Sequence, residues 1–404
     1  MENFYKKIVR LFCALIPVKT LRRKCRDWLF ALPDKINMYL LLRNNKNYKP
    51  YNKFYKKKIS SKSVLVVEIN TFHGITLPGY IHYFKELGYD VDVLLDHKNV
   101  IDQPLCRLKD KFRAFVGTKE QLLEILRSPR IKKYSFVFIN TTFYYPGGLS
   151  VVEMIGRLPK GKYGTLMIEH NLDPYVKQFR EEKYIKNGTL FTLLGFRNTK
   201  MLGSNYVGKV KYPPKNDKKT RFVVVGTIYP GNKNFQMLQD AVDKLYKTGM
   251  ENFEINVIGY GSLDGLTEQQ KKFIIHHGQL DYPSMYSYLE NSDFYLPLLD
   301  PDNKEHHKYL DNWVTGSSIL IYSFAKPCLI NKTFAPVYGF NEDNAIVYEK
   351  DLSAAMKQAI ALSAPEYRKK QENLKSLVAD YQEKSLKNLR EQLRKMEKNN
   401  DRKQ

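Results

Sequence analysis

Long apolar runs are missing from this sequence. No stretch of about 18 apolar residues occurs in its 404, so no membrane-crossing helix is expected. The nearest approach, Leu11–Val18, is too short. It lacks a small-residue cleavage site and runs straight into Lys19, Arg22, Arg23, Lys24 and Arg26, so no signal peptide is expected. Cysteine is scarce. Cys13, Cys25, Cys106 and Cys328 show no C-x-x-C spacing, and no Cys/His cluster has zinc-finger spacing. Neither a disulfide framework nor a structural zinc is expected, and the thiols read as reduced in a cytosolic setting. Short internal repeats and low-complexity tracts are absent. Acid is rare at the start: residues 1–62 hold 17 Lys and Arg against Glu2, Asp27 and Asp34, a net +14 of the chain's +24. A block that basic suits a polyanion: anionic lipid, nucleic acid or a phosphate-rich substrate.

What is present suits two α/β domains. The length exceeds one ordinary core, and a 43% hydrophobic content supplies two. Residues 1–60 read as a basic amphipathic, membrane-associating extension. Phe4, Ile8, Leu11, Phe12 and Leu15 share a helical face that Lys6, Lys7 and Arg10 avoid, and Trp28, Leu29 and Phe30 follow the basic cluster. At Ser63 the pattern changes. Val64–Val67 is a near-continuous apolar run, as in a strand buried on both faces. A loop from Asn70 to Gly79, a helix from Tyr80 to Leu87 closed by Gly88, and a strand at Val91–Leu95 complete a βαβ unit. Further strands are expected at Phe136–Ile139 and Thr165–Ile168. The polar stretch Tyr212–Lys219 reads as a linker. After it the pattern restarts: strand Arg221–Gly226, helix Asn234–Tyr246, strand Phe253–Ile258, a strand from Ile274, helix Tyr282–Glu290, strand Phe294–Leu298, helix Ser317–Phe324, strand Pro327–Ile330 and helix Leu352–Leu362. The expected organisation is an extension (1–60), a first Rossmann-like domain (61–212), a second (213–365), and a C-terminal helix with a basic tail frayed from Lys395 (366–404). Two doubly wound sheets then face a cleft.

From about residue 63 to 395 the chain resembles the GT-B superfamily of glycosyltransferases, and within it the retaining, family 4-like bacterial enzymes that build polysaccharides and glycolipids. The likeness lies in Val225–Phe235 with its glycine turn and Lys-Asn, in Ile255–Gly261, in Gly278-Gln279-Leu280 with Ser292–Leu298, and in Thr315-Gly316-Ser317-Ser318 leading to Ala325-Lys326-Pro327. The Gly74–Gly79 loop and Glu169-His170-Asn171 match it in the first half. The resemblance implies a metal-independent transfer from a nucleotide-sugar donor to a lipid-linked or growing saccharide acceptor, with acceptor in the first domain and donor in the second. There is one clear departure. The family's two glutamates, with seven residues between them and close to the Lys-Pro, are missing. The preceding helix, Ile319–Phe324, has no acid, and the loop before it offers only Asp300, Asp302, Glu305 and Asp311.

A metal-free site must hold a diphosphate with cations and backbone N–H groups. Gly226 and Thr227 end a strand. Lys233 precedes a helix as a point charge for phosphate. Thr315, Gly316, Ser317 and Ser318 open another helix, as donors to the phosphates or as a plain cap. Gly278 and Leu280 fall where the resemblance places the nucleobase grip. Gly74 and Gly79 form the acceptor loop. His73 and His170, each after a strand, are the catalytic candidates, placed to bond a sugar hydroxyl or to move a proton. Asp300-Pro301-Asp302 with His306 and His307 has metal-ligand chemistry, but it sits in a strand order that fits GT-B, so no metal is expected. Three functions follow in order: a transferase at the cytoplasmic membrane face, an inactive scaffold in polysaccharide assembly, and a single-strand nucleic-acid binder through the Tyr and Lys of Tyr48–Lys58. No nucleic-acid fold motif supports the last.

Overall fold

The computed structural model describes residues 2–30, 32, 36, 39–40, 42–43, 45–144, 148–172, 182–216 and 218–402. Asp217 of the linker and residues 31, 33–35, 37–38, 41 and 44 of the basic extension fall outside these. Eight parallel strands form the first sheet: β1 (Tyr48–Pro50), β2 (Ser63–Glu68), β3 (Asp90–Asp96), β4 (Arg113–Gly117), β5 (Phe136–Ile139), β6 (Gly164–Glu169), β7 (Leu190–Thr192) and β8 (Lys200–Met201). Their spatial order is β1-β4-β3-β2-β5-β6-β7-β8. β2 shows why an apolar run becomes a central strand: Val64 and Val66 pack on one face with Tyr80 and Phe84, while Leu65 and Val67 pack on the other with Leu122 and Phe115.

The second sheet is β9 (Thr220–Val225), β10 (Phe253–Ile258), β11 (Ile274–His276) and β12 (Phe294–Tyr295), in the order β11-β10-β9-β12. A parallel bridge from Tyr295 to Cys328 leads on to the pair β13 (Leu329–Asn331) and β14 (Ile346–Tyr348). All pairings in this half are parallel. Two Rossmann-like sheets therefore meet, as the strand–helix alternation implies.

Several expected boundaries move. β12 stops early because Pro297 has no N–H for the ladder, and Leu298 turns into the left-handed region at φ 57°. The strand expected from Pro327 begins at Leu329 for the same reason. Residues 48–56, grouped above with the extension, join the first domain. β1 pairs with β4, and Phe54 is fully buried between Phe115 and Tyr134. The aromatic and basic interleaving there is packing, with Lys57 paired to buried Asp92.

The extension itself is a helical hairpin, α1 (Glu2–Ala14) against α2 (Lys19–Phe30). Tyr5 donates to the Leu29 carbonyl at 2.7 Å, and Val9 and Cys13 are buried. Ile8, Leu11, Phe12, Leu15, Leu21 and Trp28 stay exposed. No described helix is long and apolar enough to cross a membrane.

The last helix runs unbroken from Ala364 to Asp401, past the expected fraying point at Lys395. Ser363 and Glu366 form a capping box at its start. Its first turns bond the second domain through Tyr367 to the Asp293 carbonyl (2.9 Å) and Gln371 to that of Ala325 (3.3 Å). Farther along, Gln382, Asn388 and Gln392 donate to the carbonyls of Asn205, Met201 and Asn187 in the first domain. The helix thus straps both domains. Between them Arg107 grips Glu290 with two nitrogens at 2.5 and 3.0 Å.

Candidate functional site

The loops leaving the C-terminal ends of β2 and β9 open on one interdomain cavity of about 460 Å³, lined from the first domain by Thr71, Phe72, His73, Ile75 and Asp102. This is where open parallel sheets hold ligands.

On the second-domain wall Lys233 is the central feature. It is 4% exposed. Its Nζ donates to Ser317 Oγ at 2.8 Å and to the Pro297 carbonyl at 3.2 Å, and no carboxylate contacts it among the described residues. Burial lowers its ammonium to about 7. Gly226, at φ 133°, makes room: a Cβ there would sit 3.0 Å from Lys233 Cε. The next residue, Asn234, caps helix 235–247 by accepting from the Met237 N–H at 3.0 Å.

The hydroxyls at the start of helix 316–324 divide their work. Thr315 Oγ1 accepts from the Ser317 N–H, and Ser318 Oγ turns back to the Thr315 carbonyl. Ser317 Oγ accepts from both Lys233 and Tyr295. The Gly316 N–H has no partner among the described residues, and a Cβ added there would meet nothing within 4 Å. A helix N-terminus and a buried, carboxylate-free lysine therefore converge on one point.

Opposite lie the two histidines, stacked with ring centroids 3.8 Å apart. His73 lines the cavity. Its Nδ1 meets Thr141 Oγ1 at 2.9 Å, and His170 Nε2 meets the Asn140 carbonyl at 3.0 Å. Burial pushes His170 down to about 4, and burial plus the neighbouring His170 hold His73 well below the ordinary histidine range. Both rings are neutral at pH 7. Below them two strands end in buried acids, Glu68 and Glu169, each raised by burial to about 7.

The cavity gathers His73, Gly226, Thr227, Lys233, Leu280, Thr315, Gly316 and Ser317 of the residues singled out from sequence. His170 backs His73 without lining the cavity. Gly278, at φ 69°, makes a turn whose carbonyl accepts from the Gly259 N–H. Ser318 is spent on the helix start. Gly74 packs against Asn99 and Pro104, and Gly79 lets its helix lie on Ser204. Asp300 accepts from Asn234 Nδ2 at 2.7 Å and from the Asp302 N–H at 2.9 Å. No group of three potential metal ligands exists among the described residues. Sequence reasoning missed Asp102, Asn232, Tyr309 and Trp313, which also line the cavity. Tyr309 and Trp313 were signalled by the aromatic density just before Thr315, and Asn232 by its place within Val225–Phe235.

No family model matches the chain, and no curated protein matches it. Solved structures do. A glycosyltransferase from Rickettsia africae ESF-5 superposes with a TM-score of 0.54 at 13% identity, covering 84% of this chain and all of that one. Anabaena Alr3699/HepE, solved with UDP and glucose, gives a TM-score of 0.49 at 10% identity over 83% of this chain and all of its own. The fold is GT-B. Lys233 and His73 both line the cavity between its two parallel sheets.

Proposed function

We propose that the protein is a glycosyltransferase moving a sugar from a nucleoside-diphosphate donor to a lipid-linked or growing saccharide acceptor at the cytoplasmic face of a membrane. The observation that carries this reading is the pairing across one cleft of a buried, carboxylate-free Lys233 beside a helix N-terminus with a neutral His73. The first wall suits a leaving diphosphate, the second an acceptor hydroxyl. The acceptor oxygen bonds the anomeric carbon, the bond from that carbon to the diphosphate oxygen breaks, and the diphosphate leaves with the bonding electrons. The acceptor proton passes to His73 Nε2. No metal enters this scheme.

Retention of anomeric configuration is what the resemblance implies. The single displacement written above, with His73 as its base, inverts it instead, and NMR of the product decides between the two. The membrane part of the reading is supported by the hairpin, where exposed Leu11, Phe12, Leu15 and Trp28 adjoin Arg10, Arg23 and Lys24. Removal of residues 1–45 should abolish flotation with phosphatidylglycerol vesicles and leave nucleotide binding intact.

The deciding experiment titrates a panel of nucleoside diphosphates into the protein by calorimetry, beside Lys233→Ala. Micromolar binding of one diphosphate, weakened at least about tenfold by the substitution (roughly 1.4 kcal/mol), supports the reading. Folded protein that binds none of them is a scaffold, and the transferase reading falls.

A further inference from the structure

The carboxylate of Glu68 is fully buried at the end of β2. No lysine or arginine contacts it among the described residues. Its oxygens accept from the Asn70 N–H at 2.7 Å, from Asn140 Nδ2, and from Thr141 Oγ1 at 2.7 Å. Burying a charge on neutral dipoles alone is costly, so the group needs a reason.

Thr141 supplies it. A hydroxyl has one proton. With that proton donated to Glu68, Thr141 Oγ1 can offer His73 Nδ1 only a lone pair, so Nδ1 must carry the hydrogen across the 2.9 Å contact. In a neutral ring Nε2 is then bare. It is the ring nitrogen without a hydrogen-bond partner among the described residues, in a side chain that lines the cavity. The stacked His170, tied to the Asn140 carbonyl, fixes the plane of the ring.

We propose that Glu68 and Thr141 are positioning residues that hold His73 in the Nδ1–H tautomer and so present a bare Nε2 to the acceptor hydroxyl. This rests on the transferase reading above. When the acceptor proton moves to Nε2 the ring becomes an imidazolium, and the Glu68 charge stabilises it through Thr141. A buried acid orienting a histidine has the same logic in other acid–base sites.

The relay also has an off state. Protonated Glu68 donates to Thr141, Thr141 then donates to Nδ1, and the ring hydrogen moves to Nε2. The groups facing Glu68 are Asp96 from β3, His73, and the hydroxyl of half-buried Tyr282 from the second domain. With Glu68 raised to about 7 and His73 far lower, the acid limb of the activity profile belongs to Glu68.

The test uses the full chain labelled with ¹⁵N-histidine at pH 8, with the His73 signals assigned by their loss in His73→Gln. Wild type should show a protonated Nδ1 and a bare Nε2. Glu68→Gln and Thr141→Val should shift the ring towards Nε2–H, and Thr141→Ser should restore it. A wild-type ring already in the Nε2–H form, or a tautomer indifferent to both substitutions in folded protein, overturns the relay whether or not any sugar is transferred. In transfer assays Glu68→Gln should lower kcat at least about tenfold with the donor KM within twofold, and should erase the acid limb near pH 7. Unchanged kcat and pH profile in a stable variant would reduce Glu68 to a structural role. A relay that responds as expected in a protein that transfers no sugar overturns the transferase reading alone.

Discussion

Nucleotide binding should consume a proton at Lys233. The free protein holds this lysine near 7 through burial, with only Ser317 Oγ and the Pro297 carbonyl as partners. At pH 8 about one molecule in eleven then carries the charge, whereas a bound diphosphate makes the charged form the stable one. Binding at pH 8 should take up roughly 0.9 proton, against roughly 0.1 at pH 6. Affinity should fall about tenfold, or roughly 1.4 kcal/mol, for each pH unit above 7.5. Phosphate groups lose their last proton near pH 6, so above 7.5 the ligand contributes little. The assay is calorimetry at pH 8 in two buffers of different ionisation enthalpy, since the difference in apparent heat counts the protons. Lys233→Met should bind more weakly at pH 7 and show neither proton uptake nor the slope. Wild-type affinity that stays flat from pH 7.5 to 9, or a slope surviving in Lys233→Met, would refute the placement of the diphosphate.

Glu169 is raised by burial to about 7, so the folded state prefers its acid form, and stability is lost as pH climbs from about 4.5 through 7. That loss amounts to about 3 kcal/mol; in urea melts the stability at pH 8 minus that at pH 5 should lie about 2–3 kcal/mol higher for Glu169→Gln than for wild type. Gly226→Ala places a Cβ against Lys233 Cε at a φ of 133°, which should cost about 1–3 kcal/mol of stability and weaken diphosphate binding more than any other glycine substitution along the cleft.

The sequence disclosed what local chemistry writes into it. Val64–Val67 and Phe222–Val225 read as strands because parallel strands buried on both faces are continuously apolar. Asn234 and Gly88 mark helix ends because their side chains, or lack of one, suit those positions. β1 was hidden, because three residues reading Tyr-Lys-Pro carry no alternation and only β4 makes them a strand. The helix opening at Thr315 was visible, but not which hydroxyl serves the cleft. That depends on Lys233, 84 residues from Ser317 in sequence. The link from His73 to Glu68 was equally hidden, because its middle member, Thr141, lies on the loop after a different strand.

The four acids preceding Lys326-Pro327 sharpen the question of how donor hydroxyls are held. Asp300 is occupied by Asn234, and Asp302 sits in the same turn. Asp311 pairs with Arg197 of the first domain at 3.5 Å. Glu305 stands exposed beside Gly231. None of them lines the cavity, and the acid that does, Asp102, belongs to the opposite domain. Burial and the nearby Asp281 raise its carboxyl. Asp102 lies in a segment whose Asn99 bonds the Asn70 carbonyl at 2.8 Å and packs on Gly74, so it is tied to the loop that carries His73. A sugar gripped by Asp102 would have its anomeric carbon registered against His73 rather than against the second domain. Asp102→Asn should therefore weaken binding of the complete nucleotide-sugar about tenfold while leaving the bare nucleoside diphosphate unchanged. Equal losses for both ligands would assign Asp102 to the nucleotide, and the first domain's hold on the sugar would be disproved.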